Sequence, residues 1–99
     1  MEVILLPEAE VDLEEIAAYI ARDNPMRAVT FVLELRAACV SLADMPEAFP
    51  LVPRFAVFGI RRRIHGVYQI FHRPMGKPVY RIDVLRILHG SRDITPLLM

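Results

Sequence analysis

The chain has 99 residues, 12 basic and 12 acidic side chains, and one cysteine, Cys39. That length predicts a single domain over residues 1–99 with a modest core. The lone cysteine excludes an internal disulfide and a cysteine-based metal cluster, and suits a reducing compartment. The acidic start and an apolar run, Val3–Leu6, that stops at Pro7 fit neither a secretory leader nor a membrane span, so a cytoplasmic protein is expected.

Taken in order, Glu2 to Leu6 reads as a short strand. Pro7 suits a first helical position, and Glu8, Glu10 and Asp12 favour a helix N-terminus. Ala9, Leu13, Ile16, Ala17 and Ile20 share one face, which predicts a helix from Glu8 to Arg22. Asp23-Asn24-Pro25 ends it: Asn24 is a fit N-cap and Pro25 a fit first turn for a second helix, Pro25 to Ala43. The short junction makes the two helices an antiparallel hairpin. On the second helix Ala28, Phe31, Leu35, Ala38, Cys39 and Leu42 form the main apolar stripe. Val29, Val32, Leu33 and Val40 widen it beyond one face, so apolar surface is left over. Pro46, Pro50 and Pro53 then make an irregular connection.

The second half reads as strands at Phe55–His65, Val67–Arg73 and Val79–Leu88, separated by Gly66 and by Pro74-Met75-Gly76-Lys77-Pro78. Such short connections demand antiparallel pairing. Strict alternation puts Ile60, Ile64, Tyr68, Ile70, Tyr80, Ile82 and Val84 toward the helices. It puts Arg61, Arg63, His65, Val67, Gln69, Phe71, Arg81, Asp83, Leu85 and Ile87 on an open face that invites a partner. The fold class is therefore α+β: an N-terminal strand and an antiparallel helical hairpin packed on a small antiparallel sheet.

Charge divides the chain. Residues 1–50 hold three basic and ten acidic side chains, a net −7, and residues 51–99 hold nine basic and two acidic, a net +7. Eight of the nine are arginine, whose planar guanidinium pairs with carboxylate and phosphate and tolerates interfaces. Either the second half meets an acidic partner or its bases sit against the acidic helices.

Leu13-Glu14-Glu15-Ile16-Ala17-Ala18-Tyr19-Ile20-Ala21 followed by Asp23-Asn24-Pro25 resembles the helical hairpin of ParE toxins, of the RelE/ParE superfamily. Gly59-Ile60-Arg61-Arg62, Gly66-Val67-Tyr68-Gln69-Ile70 and Val84-Leu85-Arg86-Ile87-Leu88-His89-Gly90-Ser91-Arg92-Asp93 look like the ParE sheet, and the likeness runs in order over nearly the whole chain. It implies a bacterial growth-arresting toxin of a type II toxin–antitoxin module, in hetero-oligomeric complex with a cognate ParD-like antitoxin. For ParE-like members the implied target is DNA gyrase; for RelE-like members it is mRNA in the ribosome.

The chemistry weighs these branches. Cleavage through a 2′-hydroxyl needs a base, an acid and cations around the phosphate. RelE-like enzymes often carry a late tyrosine, and the tail Ile94–Met99 has none. The nuclease alternative leaves Arg62 and Arg86 to hold phosphate and His89 to move a proton. The structural alternatives are a strand-capping His89 and an Arg86 paired with Asp83, Asp93 or a helical carboxylate. Alternation also turns one of Arg61, Arg62 and Arg63 away from the other two, so at least one is partly buried and paired. His65 and His72 are expected at the surface and Cys39 in the core. No histidine pair has metal spacing, so no metal or cofactor is expected. No basic recognition helix and no paired aromatic platform argues against direct sequence-specific nucleic-acid binding.

The leading reading has no catalytic residues. It binds its target through Arg61, Arg63, Arg86, His89 and Arg92, and its antitoxin through Tyr19, Val29, Leu33, Phe71 and Leu85. A non-toxic module that only binds its antitoxin is a third reading.

Overall fold

A computed structural model describes residues 1–98. The elements are β1 (Glu2–Leu5), α1 (Pro7–Ala21), α2 (Pro25–Val40), β2 (Arg61–His65), β3 (Tyr68–Met75), β4 (Arg81–His89) and a one-turn α3 (Thr95–Leu98). Two 3₁₀ turns, Ser41–Asp44 and Pro53–Phe58, fill the connection between α2 and β2. No helix among the described residues is long and apolar enough to cross a membrane.

The hairpin forms as its punctuation predicts. Pro7 opens α1 with Glu8 and Glu10 in its first turn. The Arg27 N–H donates to Asn24 Oδ1 at 3.0 Å, capping α2. Arg36 grips Glu10 with both terminal guanidinium nitrogens, at 3.0 and 2.8 Å, and ties the two helices together.

The sheet order is β1-β4-β3-β2. β2, β3 and β4 are antiparallel as expected. β1 pairs with β4 in parallel, so the sheet as a whole is mixed rather than antiparallel. The hairpin between β1 and β4 supplies the long crossover that parallel pairing needs.

Two departures from strict alternation decide which side chains face which way. Gly66 has φ +60°, which only glycine adopts freely, and it opens a two-residue turn that pairs His65 with Tyr68. Ile64 therefore sits opposite Gln69, on the face away from the helices, and is 65% exposed. Arg61, Arg63 and His65 come to the helix side instead, the reverse of the expectation. The second departure is a bulge: Phe71 pairs with Arg86 but His72 with Val84, leaving Leu85 unpaired. Beyond it the phase inverts, and Ile87 joins the helix-side core rather than the open face.

That core contains Leu13, Ile16, Leu35, Leu42, Ile70, Ile82, Val84 and Ile87, with Cys39 fully buried among them. The other face is not open either. Phe55, Ile60, Phe71, Leu88 and Ile94 make a second, smaller core, with Val52, Leu85, Leu97 and Leu98 packed on it. The 3₁₀ turn at Pro53–Phe58 and the C-terminal turn cover this face. Tyr80, expected toward the helices, is 61% exposed, and His72, expected at the surface, is fully buried.

Candidate functional site

Three of the expected target-binding arginines are held inside the fold. β1 ends opposite Val84, so the outer edge of β4 beyond that point has no strand beside it, while β3 pairs with the inner edge. Asp12 of α1 takes the strand's place: it is 3% exposed and accepts the Ile87 N–H at 2.9 Å. Its two oxygens also accept from Arg86, Nε to Oδ2 and a terminal nitrogen to Oδ1, both at 2.8 Å. This pairing is the main reason that Arg86 is held more basic than an ordinary arginine. Arg61 donates to the carbonyls of Glu47 and Phe49 at 3.0 and 2.8 Å, ordering the proline-rich connection. Arg63 donates to the Ala38 carbonyl and to Ser41 Oγ at 2.8 and 2.6 Å, satisfying the carbonyl end of α2.

Others remain outside. Arg54, Arg62 and Arg92, from three distant segments, line one groove of about 420 Å³ between the 3₁₀ turn, the ends of β2 and β3, and the C-terminal turn. Arg62 donates to Gln69 Oε1 at 3.0 Å, and Gln69 in turn donates to the His89 carbonyl at 3.4 Å. Arg54 donates to Thr95 Oγ1 at 3.2 Å. Asp93 is in the same groove. Hydrogen bonds from Thr95, the backbone N–H at 2.9 Å first, hold its carboxyl below the usual range. Among the described residues, none of the three arginines has a carboxylate within ion-pairing distance.

Arg92 also borders a second, largely apolar groove of about 330 Å³, with Glu15, Tyr19, Val67, Tyr68 and His89. His89 stacks edge-on against Tyr68 at 5.7 Å, and its Nδ1 is 2.8 Å from Ser91 Oγ and accepts the Ser91 N–H. His89 and Arg62 share a third groove, with Ile64 and Gln69, whereas Arg86 lines a separate one with Pro7, Glu8, Val11 and Glu15. The three residues of the nuclease alternative are thus not gathered in one groove. Of the residues expected to meet an antitoxin, Tyr19, Val29 and Leu33 are exposed, Leu85 is half-buried, and Phe71 is 2% exposed in the second core.

Comparison with known proteins gives the fold a family. The family described as ParE toxin of type II toxin-antitoxin system, parDE, matches residues 3–94. The chain belongs to the ParE toxin family. Among solved structures, the chromosomal ParDE toxin–antitoxin system of P. aeruginosa superposes with a TM-score of 0.76 at 21% identity, over 92% of this chain and 97% of that one. The RelBE2 toxin–antitoxin complex of Mycobacterium tuberculosis superposes with a TM-score of 0.58 at 22% identity, over 89% and 95%. No curated protein matches the chain. At these identities the two structures speak to the fold alone, and the family assignment rests on the sequence match.

Sequence reasoning did not single out Asp12, Gln69 or Arg54. Asp12 was read as one of the acids favouring the N-terminus of α1, and a helical carboxylate was one of the partners offered for Arg86, without saying which. Arg54 carries no periodic signal, because it stands in an irregular turn between Pro53 and Phe55.

Proposed function

We propose that this ParE toxin arrests growth by binding DNA gyrase rather than by cutting a substrate, and that a ParD-like antitoxin encoded beside it neutralises it. The observation that carries the reading is the groove of Arg54, Arg62 and Arg92. Three guanidinium groups with no carboxylate in ion-pair contact, against the single acid Asp93 in the same groove, form a docking surface for an acidic protein patch. Arg61, Arg63 and Arg86 support that surface from behind. Arg92 joins it to the apolar groove of Tyr19, Tyr68 and His89 alongside. The antitoxin covers exposed apolar surface of the helical hairpin, including Tyr19, Val29 and Leu33. Neutralisation follows where that cover reaches the shared rim at Arg92.

The test is a supercoiling assay with purified gyrase and the chain alone. Inhibition is expected, and the triple variant Arg54→Glu, Arg62→Glu, Arg92→Glu is expected to lose it while keeping its circular dichroism spectrum. No inhibition at any excess of the wild-type chain refutes the reading. One observation favours a second reading, a ribosome-dependent mRNA endonuclease: Arg62 and His89 share a groove. That reading requires cut transcripts in arrested cells and a His89→Ala variant that binds but does not arrest. Intact transcripts dispose of it.

A further inference from the structure

The proline-rich connection between α2 and β2 lies over a buried histidine. His72 is fully buried, with its ring Nδ1 3.1 Å from the Ile70 carbonyl. A carbonyl only accepts, so Nδ1 carries the proton and Nε2 keeps a bare lone pair. Nε2 is buried and has no partner. The half-buried Phe49 ring meets the imidazole edge-on at 5.9 Å, and the Arg63 guanidinium lies over Phe49 at 5.0 Å. Around Phe49, the side chains of Met45, Glu47, Ala48, Pro50 and Leu51 are exposed. Few bonds hold this segment down. Arg61 donates to the Glu47 and Phe49 carbonyls, the Val52 N–H to the Ile60 carbonyl at 2.9 Å, and the Arg62 N–H to the Pro50 carbonyl at 3.0 Å. A segment with little buried surface and exposed bonds opens at lower cost than the sheet beneath it.

We propose that residues 45–52 are a pH-sensitive strap, closed over the neutral His72 ring and lifted when Nε2 takes up a proton. The proposal is independent of the gyrase reading. In the closed state a charged ring has no compensation. Protonated Nε2 is a donor without an acceptor, and the charges that bear on it are Arg61 and Arg63 of β2, both positive. The other elements supply no acid at the ring among the described residues. Val84 stands beside His72 on β4, and Cys39 of α2, which shares Arg63 with it, is kept protonated by burial. Glu47 of the strap is exposed and turned to Arg61 at 3.9 Å, and Asp44 of the preceding 3₁₀ turn is exposed. Phe49 is what the strap sets against the ring, so lifting it admits water without opening the sheet. Pro46 and Pro50 stiffen the segment, and it moves as a unit. Its release frees the Ile60 carbonyl and the Arg62 N–H. His65 and Tyr68 close the hairpin turn, so Arg61, Arg63 and His65 bond to β3 while Arg62 and Ile64 face outward. The lifted strap therefore lengthens the free outer edge of β2 and loosens the turn that carries Arg54.

Native-state amide exchange of the full chain tests this, read by NMR between about pH 5 and 7 and divided by the intrinsic rate. With an open ring titrating near the ordinary value of about 6.5 and a closed ring that stays neutral, the opening constant rises roughly 20-fold from pH 7 to pH 5. The Val52 and Arg62 amides are expected to show that rise. They are also expected to be less protected than the amides of the β3–β4 ladder, and to lack the urea dependence that global unfolding gives the ladder. His72→Gln is expected to abolish the rise. Phe49→Ala, which keeps the ring and both arginines, is expected to lower the protection of both amides at least ~10-fold at pH 7 while the ladder keeps its own. Equal protection and equal urea dependence for strap and ladder make the opening global and overturn the proposal. An opening constant that ignores pH, or a rise that survives His72→Gln, overturns it equally. Should His72→Gln fail to fold, the wild-type pH and urea profiles together with Phe49→Ala decide the matter.

Discussion

Removing the Asp12 carboxylate tests whether one buried acid holds the sheet to the hairpin. In Asp12→Ala the Ile87 N–H loses its acceptor on an edge that no strand covers. An unmet buried donor costs about 1–2 kcal/mol. Arg86 also loses both bonds, with its side chain only 17% exposed. Stranding one member of a fully buried pair costs about 3–5 kcal/mol. Arg86 keeps some access to water, so about 2 kcal/mol is a fitting share. The total is about 3–4 kcal/mol, a large part of the ~5–15 kcal/mol that a domain of this size possesses. The corresponding drop in Tm is about 15 °C. Asp12→Asn keeps an acceptor for Ile87 and should lose roughly half as much. The double variant Asp12→Leu/Arg86→Leu strands no charge, so its loss should fall short of the sum of the single losses by at least about 1.5 kcal/mol. Urea unfolding followed by circular dichroism measures the wild type, these variants and the Asp12→Leu and Arg86→Leu singles of the cycle. A loss under about 1 kcal/mol for Asp12→Ala, or strict additivity in the cycle, refutes the reasoning. If the wild-type chain inhibits gyrase as proposed and the double variant folds yet does not, Arg86 has a second role that its pairing does not explain.

Two further outcomes follow from groups inside the core. Cys39 is completely buried, and burial, the main cause, pushes its thiol up to about 12. The native chain should therefore resist a thiol-exchange reagent at pH 8 and react fully in urea; stoichiometric labelling of the folded chain within a minute contradicts the packing. The His72 ring is buried with Nδ1 3.1 Å from the Ile70 carbonyl, facing Arg61 and Arg63, and burial first, then those charges, lowers its pKa. Below the ordinary histidine value of about 6.5 the unfolded chain takes up a proton that the folded chain refuses, so His72 makes stability fall as pH drops through that region. Urea midpoints for wild type and His72→Gln between pH 5 and 8 should differ in slope, and parallel curves would remove His72 as the cause.

The elements with strong local signals were readable from the residues alone. Pro7, Asn24 and Pro25 act within one turn of chain, and their geometry does not depend on what packs nearby. The faces of the sheet were not readable, because they depend on single residues that shift phase. The two-residue turn at Gly66 moved Ile64 away from the helices and brought Arg61 and Arg63 toward them. The bulge at Leu85 sent Ile87 to the helix side, although alternation along the strand placed it with Leu85. Neither shift alters composition or periodicity over the window in which a strand is recognised. The second core was missed for a related reason. Its cover is a 3₁₀ turn and a one-turn helix, both too short to show a period. Phe71 was consequently read as partner-facing when the chain's own 3₁₀ turn and C-terminal turn conceal it.

The charge split is explained by where each base ends up. Among the described residues, ion pairs join the two halves only at Arg86–Asp12 and at Arg61–Glu47, the latter at a loose 3.9 Å. Arg81 pairs with Asp83 inside the second half, and the two pairs on the helices lie inside the first. Arg63 spends its charge on the carbonyl end of α2, not on an acid. Packing the basic sheet on the acidic helices therefore neutralises little of the imbalance. An arginine whose long stem lies against the helix side can hold carbonyls and the edge of β4, work that needs donors more than charge. Of the bases with no ion pair among the described residues, Arg54, Arg62 and Arg92 gather in one groove on the other face, and Arg73 and Lys77 lie outside it. A surface of that kind gains most from an acidic partner, because its guanidinium groups give up few internal bonds to make new ones.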